Sequence, residues 1–88
     1  MLVMSNFNDF IDLVYSIRDK KMLEDFLIGV TTAKERQELT QRIEIVKRLI
    51  AGEPQQKIAS NLGVGIATVT RGSKELAAHR FKALRNQL

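Results

Sequence analysis

The chain has 88 residues, a net charge of +4, 44% apolar residues and no cysteine. That length gives one domain, 1–88, with a small core that a partner subunit would enlarge, and the absence of thiols excludes disulfides, thiolate metal sites and cysteine nucleophiles. No apolar run approaches the ~18 residues of a membrane span and no signal segment opens the chain, so the expectation is a cytoplasmic protein with no membrane partner.

Met1-Leu2-Val3-Met4 is apolar, and Met4 is a second candidate start. Phe7, Phe10, Ile11, Val14 and Ile17 then recur at three- and four-residue steps, one face of a helix capped by Ser5 or Asn6. Asp19-Lys20-Lys21 interrupts the pattern. Met22, Leu23, Phe26, Leu27 and Val30 restart it, with Glu24 and Asp25 expected in the first turn, where the helix dipole favours acids.

The next start signal is stronger. Thr32-Ala33-Lys34-Glu35 has the capping-box form. Leu39, Ile43, Val46 and Ile50 line one face after it, widened by Ile45 and Leu49, and Glu38–Arg42 and Glu44–Arg48 stand at i,i+4. Gly52 is placed to end this helix and Pro54 prevents its continuation, which predicts a helix over 33–51. Residues 5–51 are read as dimerisation helices.

Charge is uneven along the chain. Residues 1–30 carry a net −2, residues 31–54 a net +1 and residues 55–88 a net +5. A basic C-terminal third points to a polyanion partner at that end, against the simpler reading of a solvated basic surface.

The segment Leu62-Gly63-Val64-Gly65-Ile66-Ala67-Thr68-Val69-Thr70-Arg71-Gly72-Ser73 admits three readings. A phosphate loop fails on spacing, because the third glycine of GxGxxG would fall on Thr68 and no GK[ST] follows. A β-strand over Ile66–Thr70 rests on β-branched propensity alone and lacks a pairing partner. A helix-turn-helix over 55–78 fits the spacing. With Gln55 as the first position, Ile58, Ala59, Leu62, Gly63, Val64 and Val69 occupy the fourth, fifth, eighth, ninth, tenth and fifteenth. These are the apolar, small and turn-glycine places that two steeply crossed helices require. Ile66, Val69 and Leu76 would face inward; Gly72 departs, standing where a larger apolar residue is usual. An αα-corner without DNA function has the same pattern.

As a DNA reader, the second helix would place its N-terminal half in the major groove. Gly65, Ile66 in part, Ala67, Thr70 and Lys74 would face double-stranded DNA, and Gln55, Gln56 and Lys57 would meet phosphates or flanking bases. Few strong base-pairing side chains are present, so water or DNA shape would carry much of the specificity. A tail over 79–88 has Phe81, Leu84 and Leu88 at helical spacing. His79 is the only histidine and has no evident carboxylate partner, so no enzyme and no metal site is expected; a histidine at a helix end reads as a cap or bystander.

Gly65-Ile66-Ala67-Thr68-Val69-Thr70-Arg71-Gly72-Ser73 resembles the recognition-helix signature of the tryptophan-responsive repressor family, bacterial regulators of tryptophan biosynthesis. Thr32, Glu35-Arg36, Arg42-Ile43, Ile45-Val46 and Gly52-Glu53 extend the likeness along the long helix, and the whole covers about residues 7–80. The resemblance implies an all-α fold of six helices and an interlocked homodimer. It implies a sequence-specific repressor at the trp operator with L-tryptophan, a small amino-acid ligand, as corepressor. The indole would lie between Arg42 and Arg71, beside Thr32 and Thr68, with Gly72 admitting it close to the helix. A guanidinium plane stacks on an aromatic face, and a second cation can hold a carboxylate. Without the resemblance, Arg42 reads as a partner of Glu38 and Arg71 as a phosphate contact. Three positions depart from the family: Glu75 replaces a serine near the ligand's amino group, Glu53-Pro54-Gln55 is one residue short, and Gly29 replaces a leucine. Glu75 would pair with the ligand's ammonium or with Arg71. The alternatives are a regulator of the same fold working without tryptophan, or with another ligand, and a helical dimeric interaction module without DNA binding.

Overall fold

The computed structural model describes residues 6–87. It is all-helical: α1 (Phe7–Ser16), α2 (Lys20–Val30), α3 (Ala33–Ile50), α4 (Gln55–Leu62), α5 (Ile66–Ala77) and α6 (Lys82–Gln87), with no strand among the described residues. The strand and phosphate-loop readings of 62–73 end here. The expected roles of Met1–Met4, Ser5 and Leu88 fall outside the described residues. The chain divides into two compact units, Met1–Arg36 and Gln37–Leu88. α3 begins in the first and runs through the second.

The first unit is held by caps rather than by a core. Asn6 starts α1 by accepting a hydrogen bond from the Asp9 N–H at 3.1 Å. Asp19 does the same for α2, accepting from the Met22 N–H at 3.0 Å. This corrects the sequence reading. Asp19 is an N-cap and Lys20 already helical, so Glu24 and Asp25 lie beyond the first turn. Phe10 stacks on Phe7 and meets Phe26 at a tilt, with ring centroids 6.0 Å apart in each pair, and so joins α1 to α2. No residue of either helix is buried.

The start of α3 is a complete capping box. The Thr32 N–H donates to Glu35 Oε1 at 2.8 Å and the Glu35 N–H to Thr32 Oγ1 at 3.1 Å. The Thr32 backbone, and then its side chain, hold the Glu35 carboxyl below its usual range. Arg36, in the next turn, donates through Nη1 to the carbonyls of Thr31 (2.8 Å) and Ile28 (3.1 Å). A cation is favoured at those C-terminal carbonyls by the helix dipole.

The second unit has a packed centre. Ile45 and Val46 of α3, Ile58 of α4 and Val69 of α5 are at most 1% exposed. Leu49, Ala59, Leu62 and Val64 pack around Ile45, Ile58 and Val69. Ile45 and Val46, rather than Leu39 and Ile43, therefore carry the buried face of α3; Leu39 and Ile43 are 45% and 41% exposed. Ile66, expected inward, is half-exposed as the first residue of α5. Gly72, where a larger apolar residue is usual in the motif, lies against α3. A Cβ built there would lie 3.4 Å from Ile45 Cγ2 and 3.6 Å from Leu49 Cδ1.

Three helices end in the same way. After α3, the Gly52 N–H donates to the Leu49 carbonyl and the Glu53 N–H to that of Arg48. After α4, Gly63 bonds to Ser60 and Val64 to Ala59; after α5, His79 bonds to Leu76 and Arg80 to Glu75. Each is a Schellman pair around a left-handed residue, with φ of 89°, 67° and 65°. Glycine enters that region freely at Gly52 and Gly63, whereas His79 carries a Cβ that opposes it. Glu53 then ties α3 to α4, accepting from Asn61 Nδ2 at 3.0 Å and pairing with Arg48 at 3.6 Å.

Candidate nucleic-acid interface and ligand cleft

Gly63 turns the chain sharply between α4 and α5, and the buried Ile58 and Val69 hold the two helices together. Neither helix starts with a side-chain cap or an acid in its first turn: Pro54 precedes α4 and Gly65 precedes α5. At the start of α5, early N–H groups are left without a carboxylate in front of them, an arrangement suited to phosphate. Around these starts, Gln56, Lys57, Gly65, Ile66, Ala67 and Lys74 are exposed, and Gln55 and Thr70 half-buried. Gln55 and Thr70 are not independent: the Thr70 hydroxyl donates to Gln55 Oε1 at 2.9 Å.

A second face of α5 opens on a cleft of about 520 Å³, within the ~300–1,000 Å³ of small-molecule sites. Thr68, Arg71, Gly72 and Glu75 stand at i, i+3, i+4 and i+7 of α5 and line one wall. Leu39, Arg42, Ile43, Ile45 and Val46 of α3 line another, and Phe81 adds an aromatic side. Five of the six residues assigned to the ligand thus meet in one cleft. The sixth, Thr32, belongs to the N-terminal unit and is engaged in the capping box.

Among the described residues, the two arginines of the cleft carry no ion pair, whereas its carboxylate has one neighbour. No ion pair joins Arg42 to Glu38 or Arg71 to Glu75; Glu75 instead approaches Arg80 at 4.0 Å, and both are largely exposed. The donor set is two guanidinium groups and one carboxylate among apolar walls. It suits an amphiphilic zwitterion: aromatic or aliphatic body against Leu39, Ile43 and Phe81, carboxylate to arginine, ammonium to Glu75. A Cβ at Gly29 would meet nothing within 4 Å.

Sequence reasoning missed Leu39, Ile43 and Phe81 as cleft residues. Leu39 and Ile43 look like core by periodicity. Phe81 carries no local signal, because it is placed by its own left-handed backbone (φ 64°) between α5 and α6. No group of three histidine, aspartate or glutamate side chains gathers as metal ligands among the described residues, and no described helix is long and apolar enough to cross a membrane.

The profile of the family described as "Trp repressor protein" matches residues 5–86. The chain belongs to the Trp repressor family. A Vibrio vulnificus (strain YJ016) protein named Trp operon repressor homolog is 40% identical over 87 residues, spanning 96% of this chain and 85% of its own. Proteins of the same name from Vibrio campbellii and Vibrio cholerae are 45% and 42% identical, over 75% and 82% of this chain and 67% and 71% of theirs. The Trp repressor family is one of transcription regulators, not of enzymes. Its all-helical, six-helix character agrees with the fold described above.

Proposed function

We propose that this protein is a cytoplasmic, sequence-specific repressor at a trp operator, acting as a homodimer with L-tryptophan as corepressor. The observation that carries the reading is the division of α5. Ala67, Thr70 and Lys74 share one face; Thr68, Arg71, Gly72 and Glu75 share another, about a third of a turn away. A ligand held on the second face bears directly on the helix that presents the first. Arg42 and Arg71 would hold the ligand's carboxylate and aromatic plane, and Glu75 its ammonium. The corepressor then favours the arrangement in which the two recognition helices of a dimer meet successive major grooves, about 34 Å apart. Gln56 and Lys57 add phosphate contacts at the start of α4.

The homodimer is supported by the apolar surface of the N-terminal unit, where Phe7, Ile11, Leu13, Tyr15, Met22, Leu27, Ile28 and Val30 are all exposed. Such surface is covered in stable proteins.

Calorimetry tests the ligand. L-tryptophan is expected to bind the wild type, Arg71→Ala is expected to lose most of that binding with the fold intact, and no heat at millimolar ligand would reject the corepressor. A second reading, DNA binding without tryptophan, is favoured by Glu75, the family's serine replaced by a charge that pairs with Arg80. It predicts steeply salt-dependent DNA retention with no response to the amino acid.

A further inference from the structure

Resting on the DNA-binding reading, we propose that Thr70 is a positioning residue for Gln55, and that the pair divides recognition between backbone and base. The Thr70 Oγ1–H donates to Gln55 Oε1 at 2.9 Å, across fifteen residues and from one helix of the motif to the other. Both side chains are half-buried, so the bond is shielded from competing water along part of its length.

Two consequences follow from donor and acceptor inventory alone. The Thr70 hydroxyl has one proton and that proton is engaged, so it is not available to a base acceptor. What Thr70 still offers the groove is the acceptor side of its hydroxyl oxygen, open to a base amino group, and its methyl group, whose apolar counterpart in the major groove is the C5-methyl of thymine. Gln55, with one lone pair of Oε1 taken by Thr70, has its amide plane fixed and its two Nε2–H donors free. Two free donors held in a fixed plane at the start of α4 suit a phosphate oxygen. Gln55 thus sets position on the duplex irrespective of sequence, Thr70 reads a thymine by its methyl, and the hydroxyl between them locks the geometry.

The test uses the full chain with saturating L-tryptophan and a fluorescent duplex selected from random sequence by the wild type. Thr70→Val keeps the methyl and removes the hydroxyl. It is expected to weaken binding about fivefold, on the selected and on an unrelated duplex alike. Gln55→Ala should give a similar loss, and the double variant no more than either alone. Thr70→Ser keeps the hydroxyl and removes the methyl. It should retain affinity for unrelated duplex and become indifferent to one thymine-to-uracil replacement that weakens the wild type. Far-ultraviolet circular dichroism and thermal midpoints establish that each variant is folded. Full additivity of Thr70→Val and Gln55→Ala, or a Thr70→Val loss confined to the selected duplex, overturns the inference while leaving DNA binding in place. A wild type that selects no duplex overturns the DNA-binding reading and this inference with it.

Discussion

The two units solve the problem of a short chain differently. In the N-terminal unit, order comes from helix ends: an asparagine cap on α1, an aspartate cap on α2, and the capping box and Arg36 clasp at the start of α3, with no buried residue in α1 or α2. From α3 onward, four side chains at most 1% exposed are drawn from three helices, and each of the first three helix ends is closed by a Schellman pair. The lesson is one of self-sufficiency. The helix-turn-helix and its cleft are organised by contacts within their own unit. The N-terminal helices have formed without covering their apolar face, and that face is what a second copy of the chain would occupy.

The largest expected effect lies in the self-sufficient part. Ile58→Ala removes a fully buried side chain from the meeting point of α3, α4 and α5 and should cost about 2–5 kcal/mol in urea unfolding. A loss below about 1 kcal/mol would mean that this core does not hold the unit together. The contrasting change is Ile28→Lys. Ile28 is 49% exposed, so in an isolated chain the change should be nearly neutral. In a dimer it places an ammonium against apolar surface, forfeits about 1.5–3 kcal/mol of burial, and shifts sedimentation toward monomer. An unchanged sedimentation profile would remove this face from the interface.

Smaller effects sharpen the same contrast at helix ends. Gly63→Ala forces a Cβ into the left-handed region in otherwise open space and should cost about 1 kcal/mol. His79→Gly relieves the same conformation and should gain a similar amount, provided the end of α5 keeps its two closing bonds. Thermal midpoints moving in the same direction would contradict the assignment. The smallest effect is acid-dependent. Glu35 has a folded pKa below its ordinary value of 4.5. Its contribution is therefore present above that value and lost as pH falls through the lowered folded value. Glu35→Gln should flatten this acid limb of the stability profile by lowering stability slightly near neutrality while leaving it unchanged at the acid end.

Much of this was legible in the sequence where signals are local. The capping box and the Gly52, Pro54 pair bound the long helix as Ala33–Ile50 against an expected 33–51. Gly63 announced the turn of the motif. The resemblance around Gly65–Ser73 gathered Arg42, Thr68, Arg71, Gly72 and Glu75, which line one cleft. What was not legible depends on partners distant in the chain. Leu39 and Ile43 have the spacing of core residues and wall an open cleft instead. Ile66 looks like core and heads an exposed helix start. Phe81 reaches the cleft through a left-handed backbone that no side-chain preference signals. The Thr70–Gln55 bond joins residues each read as a separate DNA contact. Asp19 was hidden by the lysines after it, although it carries the ordinary chemistry of a cap.

The central claim is that one helix, α5, serves both the cleft and the DNA face, so that filling one changes the other. It is tested most directly by measuring the affinity of the wild type for its selected operator duplex by fluorescence anisotropy, with and without saturating L-tryptophan. The account predicts tighter binding with the amino acid, a gain that Arg71→Ala loses. Equal affinity in both conditions, with tryptophan shown by calorimetry to be bound, would contradict it.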